Sequence, residues 1–153
     1  MLDGLFVTPA VVAITDALAS AKAEGPIAVV GNAKLARALA GKCVVTPVGL
    51  SARAAKKLTN ALADLSTIET GSLAAVVGVD VTSDESWTET LRAWSRVVRD
   101  GGALVFVDRG HASEASRRAL CAGLTELEQR HAGRAVITSG LVTHLGTVST
   151  SET

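Results

Sequence analysis

Four runs of unbroken apolar residues constrain this chain more than any other feature: Ile27-Ala28-Val29-Val30, Cys43-Val44-Val45, Leu73-Ala74-Ala75-Val76-Val77-Gly78-Val79 and Ala103-Leu104-Val105-Phe106-Val107. Each is too short for a helix and lacks the polar alternation of a half-solvated strand, so each reads as a strand covered on both faces. The stretches between them carry apolar residues at helical spacing. Parallel strands cannot be joined by a tight turn, and helical crossovers covering both faces are the usual solution. The pattern predicts a doubly wound α/β sheet, mostly parallel.

Thr8-Pro9 reads as a cap and first-turn proline opening a helix that ends near Gly25-Pro26. Asn32 to Ala40 is helical with Gly41 as its stop, and the second strand, Lys42 to Thr46, ends at Pro47. Ser51 caps a helix with apolar positions Ala54, Leu58, Ala61, Leu62 and Leu65, and Ser66 to Glu69 forms a weaker strand. Thr82-x-x-Glu85 has capping-box spacing before a helix whose Trp87, Leu91, Trp94 and Val98 share one face. Asp100-Gly101-Gly102 breaks that helix. A further helix over 113–122 precedes an antiparallel edge pair, Thr125 to Arg130 and Ala135 to Leu145, around Ala132-Gly133. The expected architecture is a seven-stranded sheet in one domain spanning 1–153, with an N-terminal helix over 1–25, a core over 27–145 and a frayed polar tail over 146–153.

Composition narrows the function. A chain of 153 residues with 48% hydrophobic and 20% charged residues has enough core for one globular domain, and none of its apolar runs is long enough to span a bilayer. No basic residue precedes Lys22, so no secretory leader is expected and the predicted location is cytoplasmic. Cys43 and Cys121 stand apart, as do His111, His131 and His144, which predicts no metal site. Fifteen basic residues balance fifteen acidic ones, and four aromatics without a tyrosine argue against nucleic acid as a partner. By position, however, Lys34, Arg37, Lys42, Arg53, Lys56 and Lys57 form a wholly basic stretch, and Asp80, Asp84, Glu85 and Glu89 a wholly acidic one. Patches of opposite sign predict a protein partner or self-association into a homo-oligomer.

Doubly wound sheets bind ligands at the carboxyl ends of their strands. Here that rim comprises Gly31-Asn32, Thr46-Pro47, Glu69-Thr70, Gly78 to Asp80, and Asp108 to His111. His111 has the residue type for a base near neutral pH. Asp108 and Arg109 have the types for a pair with each other or with a ligand.

The segment from Leu91 to Asp108, with Arg96-Val97-Val98, the paired Gly101-Gly102 and the strand Ala103 to Val107, resembles the corresponding segment of class I S-adenosylmethionine-dependent methyltransferases. Ala122-Gly123-Leu124 and the closing antiparallel pair are similar to that family's last strands. The resemblance covers about 27–145 and implies a methyltransferase-like Rossmann fold with cofactor-facing positions at Gly31, Asn32, Thr46, Gly78 and Asp80. The family's Gly-x-Gly-x-Gly turn is reduced here to Gly31, with Val29 in place of the strand-one acid. Thr46-Pro47 replaces the carboxylate that takes the ribose hydroxyls, and Ala74 the acid before strand four. Losing a bidentate or charged contact costs ~1.5–3 kcal/mol, and two such losses roughly a hundredfold or more in affinity. The sequence therefore predicts a degenerate pseudoenzyme with no catalytic residues and no cofactor, acting as a protein-binding or scaffolding module. The alternative it implies is an active small methyltransferase using S-adenosylmethionine through an atypical loop at Gly31 and Asn32.

Overall fold

The computed structural model describes residues 2–49 and 61–144, with side chains from residue 9 onward. Six strands, β1 (Ile27–Val30), β2 (Val45–Val48), β3 (Leu73–Val79), β4 (Val98–Arg109), β5 (Thr125–Ala132) and β6 (Ala135–Leu141), form one sheet in the order β2-β1-β3-β4-β6-β5. β1 to β4 are parallel, β6 runs antiparallel beside β4, and β5 is antiparallel at the edge. Helices α1 (Leu2–Ser20), α2 (Ala33–Ala40), α3 (Trp87–Val97) and α4 (Ala112–Cys121) cover it.

Successive strand residues feed opposite faces. Val29, Val77, Val105 and Ile137 pack with Ile14, Leu18, Leu35 and Leu39 from α1 and α2. Ala28, Val76, Leu104 and Phe106 pack with Leu91, Trp94 and Val97 of α3 and Ala119 of α4. Both layers are apolar, so β1, β3 and the 103–107 stretch of β4, buried on both faces, need apolar residues at every position, and each large buried side chain contributes ~1.5–3 kcal/mol.

The structure departs from the sequence reading in definite places. α1 begins at Leu2, which puts Pro9 inside the helix, and it ends at Ser20, where Lys22 turns left-handed (φ 55°) and the Ala23 N–H returns to the Leu18 carbonyl at 2.9 Å. No strand occupies 66–69. Instead Leu62 makes a single parallel bridge to Val48, and Asp64 folds the chain into a turn by accepting from the Ser66 N–H at 2.8 Å, so the described sheet has six strands rather than seven. The expected helix from Ser51 thus does not extend through Leu62. Its earlier part, Arg53, Lys56 and Lys57, and the tail over 146–153 lie outside the described residues.

The expected capping box also fails. The Thr82 N–H and hydroxyl both donate to Asp108 Oδ1 at 2.9 Å, and α3 starts later, at Trp87. Asp84 organises that start, accepting from the Ser86 N–H at 2.8 Å and the Thr90 hydroxyl at 2.7 Å. Among the described residues no helix is long and apolar enough to cross a membrane.

Candidate functional site

Parallel strands gather their carboxyl ends on one edge. Val30 of β1 stands opposite Val48 of β2 and Gly78 of β3, and Val79 opposite Val107 of β4. The rim therefore consists of Gly31-Asn32, Gly49, Asp80 and the Arg109–His111 segment. Backbone hydrogen bonds of 2.9 Å tie it together, from the Gly31 N–H to the Val48 carbonyl and from the Asp80 N–H to the Val107 carbonyl.

Gly31 is exposed with φ 84°, a conformation that strains any L side chain, and a Cβ there would meet only Val79 Cγ2, at 3.5 Å. The turn keeps the backbone open toward the rim. Asn32 caps α2, its Oδ1 accepting from the Leu35 N–H at 2.8 Å, which leaves its side-chain NH2 toward other partners. Thr46 lies two residues inside β2, opposite Ala28 and half-buried, because the strand continues through Pro47 to Val48. A proline is tolerated there because β2 has a full strand partner on one side only. The rim position of β2 is Gly49 (φ 69°), which the sequence reading missed by ending the strand at Pro47.

Gly78 is buried for a different reason. A Cβ at this position would fall 2.0 Å from Trp94 Cη2 and 2.5 Å from Cζ2, so the missing side chain is the space into which the indole packs. Trp94 in turn meets the Phe106 ring edge-on, at 6.1 Å between centroids and 60° between planes.

Asp80 (φ 56°) and His111 (φ 59°) are exposed non-glycine residues held left-handed at the ends of neighbouring strands. Below them Asp108 is 1% exposed rather than part of a surface pair, and its Oδ2 has no hydrogen-bond partner in the protein. Burial pushes the Asp108 carboxyl up from its ordinary value, against the lowering effect of the Thr82 hydrogen bonds, and Asp80 adds to the upward push.

Arg118 of α4 locks the turn over this region, donating from Nη1 to the Val81 and Asp84 carbonyls at 2.6 and 2.9 Å. Glu114 holds the Arg118 Nε at 2.6 Å. Hydrogen bonds from Arg117 first and Arg118 second keep the Glu114 carboxyl at about 2. The acidic Asp80, Glu85 and Glu89 are exposed and Asp84 is half-buried, while Lys34, Arg37 and Lys42 are exposed on and just after α2.

No protein-family model matches the sequence, and no curated protein matches it. Solved structures do. A Methanococcus maripaludis protein described as an S-adenosylmethionine-dependent methyltransferase superposes with TM-score 0.70 at 13% identity, over 91% of this chain and 87% of its own. A Haloferax volcanii complex of a methyltransferase with the Trm112 methyltransferase activator gives 0.64 at 15% identity, over 86% and 89%. Geranyl diphosphate methyltransferase gives 0.60 at 12% identity, over 79% of each chain. The chain thus has the class I methyltransferase fold, as the segment from Leu91 to Asp108 implies. The expectation of a chain without cofactor is overturned by the same comparison: geranyl diphosphate methyltransferase, which shares the fold, is solved with S-adenosylmethionine bound.

Proposed function

With the class I methyltransferase fold as premise, we propose that this chain is an S-adenosylmethionine-binding domain that works as a protein-binding module rather than as a methyltransferase on its own. The observation that carries the cofactor reading is the β1–α2 turn, where the open backbone of Gly31 lets a ligand approach as no side-chain-bearing residue would. Around it, the Asn32 side-chain NH2, the Gly49 backbone and the Asp80 carboxylate are the groups that would hold the cofactor, with Asp80 complementing its positive charge. Thr46 and Gly78 stand behind this first layer. Bound there, the cofactor supplies an electrophilic methyl group on a sulfonium.

The module reading rests on what surrounds the rim. A general base works best when a neighbour orients it, and the His111 side chain, unlike its backbone carbonyl, which accepts from the Ala115 N–H at 3.0 Å, makes no hydrogen bond among the described residues. The charged surfaces at Lys34, Arg37 and Lys42 and at Asp80, Asp84, Glu85 and Glu89 suit a protein partner, and the Haloferax volcanii neighbour is itself solved with an activator protein. Two free thiols, Cys43 and Cys121, suit a reducing, cytoplasmic compartment.

A second reading, methyl transfer by the chain itself, is favoured by one observation: Asp80 and His111 both hold left-handed backbone at the rim, and such strain gathers at functional sites. Calorimetric titration with S-adenosylmethionine and S-adenosylhomocysteine, run beside transfer of labelled methyl groups to protein and RNA fractions, separates the two. The expected result is saturable binding that Gly31→Val abolishes, with no transfer by the chain alone. Transfer that fails in Asp80→Asn and His111→Ala would replace the module reading with the second, and absence of binding would remove both.

A further inference from the structure

Helix α3 carries its charge in two blocks along one stripe. Glu85, in the turn just ahead of the helix, and Glu89 lie toward its start, and Arg92 and Arg96 toward its end, at spacings of four, three and four residues. Within the helix, spacings of three and four keep Glu89, Arg92 and Arg96 on one side, with Glu85 just ahead of its first turn. Glu85, Glu89 and Arg92 are exposed, and none makes an ion pair among the described residues. Arg96 is half-buried and anchored, donating to the Leu65 carbonyl at 2.8 Å and the Thr70 hydroxyl at 3.0 Å.

Beside the stripe runs a groove of about 220 Å³ between Trp87, Leu91 and Ser95 of α3 and Cys121 and Ala122 at the end of α4. Leu120, 63% exposed, precedes Cys121 in the last turn of α4. The single acid of α4, Glu114, is already paired with both Arg117 and Arg118, so α4 offers Arg92 no free carboxylate.

We propose that this face docks a second copy of the chain, with the two α3 helices antiparallel about a twofold axis. An axis between Thr90 and Leu91 sets Glu89 opposite the partner's Arg92 and Arg92 opposite the partner's Glu89. The stripe is self-complementary only in this direction, because a parallel alignment sets acid on acid. Exposed ion pairs each change affinity only a few-fold, so they fix register and direction. The groove and Leu120 supply the apolar surface that association needs. The pair that Glu89 and Arg92 could form within one helix is too weak to compete with an interface that buries them.

This inference rests on the reading of the chain as a protein-binding module, and sedimentation velocity over a concentration series tests it. The wild type should form a dimer that added salt weakens. Each charge reversal, Glu89→Arg or Arg92→Glu, counts twice across the twofold axis and should raise the dimer dissociation constant about tenfold. The double variant Glu89→Arg/Arg92→Glu should return to within a few-fold of wild type, with circular dichroism reporting an intact helix in all four proteins. A wild type that stays monomeric at every concentration overturns the proposal, as does a dimer indifferent to the single reversals or a folded double variant no tighter than the singles. A monomer that still binds a different protein stably removes this inference and leaves the module reading standing.

Discussion

Gly78→Ala is the most informative single change in the core. The new Cβ would lie 2.0, 2.5 and 2.8 Å from Trp94 Cη2, Cζ2 and Cζ3, the far edge of an indole that is 4% exposed and cannot move outward without leaving the core. Overpacking of this kind costs ~1–3 kcal/mol, and displacing the ring from Phe106 forfeits a further ~0.5–1.5 kcal/mol of edge-to-face contact. The expected loss is therefore about 2–4 kcal/mol, or roughly 5–15 °C in melting temperature for a domain of this size. Trp94→Phe removes the atoms that clash, since a phenyl ring stops short of the Gly78 position, and should cost about 1–2 kcal/mol by itself for the lost volume. The double variant should then be more stable than the sum of the singles by at least ~1 kcal/mol, measured as a double-mutant cycle in urea. If Gly78→Ala is neutral, or if the two changes add, the steric account of this glycine is wrong. The same double variant separates packing from ligand binding: with the core repaired, S-adenosylmethionine affinity should match wild type.

Removing the Asn32 cap by Asn32→Ala should cost about 1 kcal/mol of stability, read by urea denaturation, because the Leu35 N–H loses its acceptor. Arg118→Met should cost about 2 kcal/mol and speed amide exchange in Val81–Asp84, since its guanidinium is what ties those carbonyls to α4. The Asp108 carboxyl is raised by burial, so its contribution to stability is complete below the ordinary aspartate value of ~4 and is lost as pH rises through the higher folded value. Unfolding free energy should accordingly fall more steeply with rising pH in the wild type than in Asp108→Asn. Glu114 has the opposite sign: its pairing with Arg117 and Arg118 is present above ~4.3 and fades as pH falls toward 2, so Glu114→Gln should flatten the acid limb of the stability curve.

The strands buried on both faces were legible because burial on two sides leaves no polar position: Ile27 to Val30 and Leu73 to Val79 could hardly be anything else. The antiparallel closing pair announced itself through Ala132-Gly133. What escaped the sequence depends on partners far along the chain. Thr82 and Glu85 have capping-box spacing, yet the Thr82 hydroxyl is claimed by Asp108, 26 residues away. Gly78 reads as a ligand-facing glycine until Trp94 is seen filling its side-chain space. The weak strand expected over Ser66 to Glu69 does not form because Asp64 makes a local turn with Ser66, and only Leu62 bridges to β2. Gly49 was missed because proline usually ends a strand, whereas β2 tolerates Pro47 with a full strand partner on one side only.

The central claim is that the turn at Gly31 opens onto a working S-adenosylmethionine site. Titrating S-adenosylhomocysteine into the isotope-labelled chain and following backbone amide resonances tests it residue by residue. The account predicts saturable shifts concentrated at Gly31, Asn32, Gly49 and Asp80, with the strand interior at Thr46 and Gly78 shifting less. Shifts confined elsewhere, or none at saturating ligand, would contradict it.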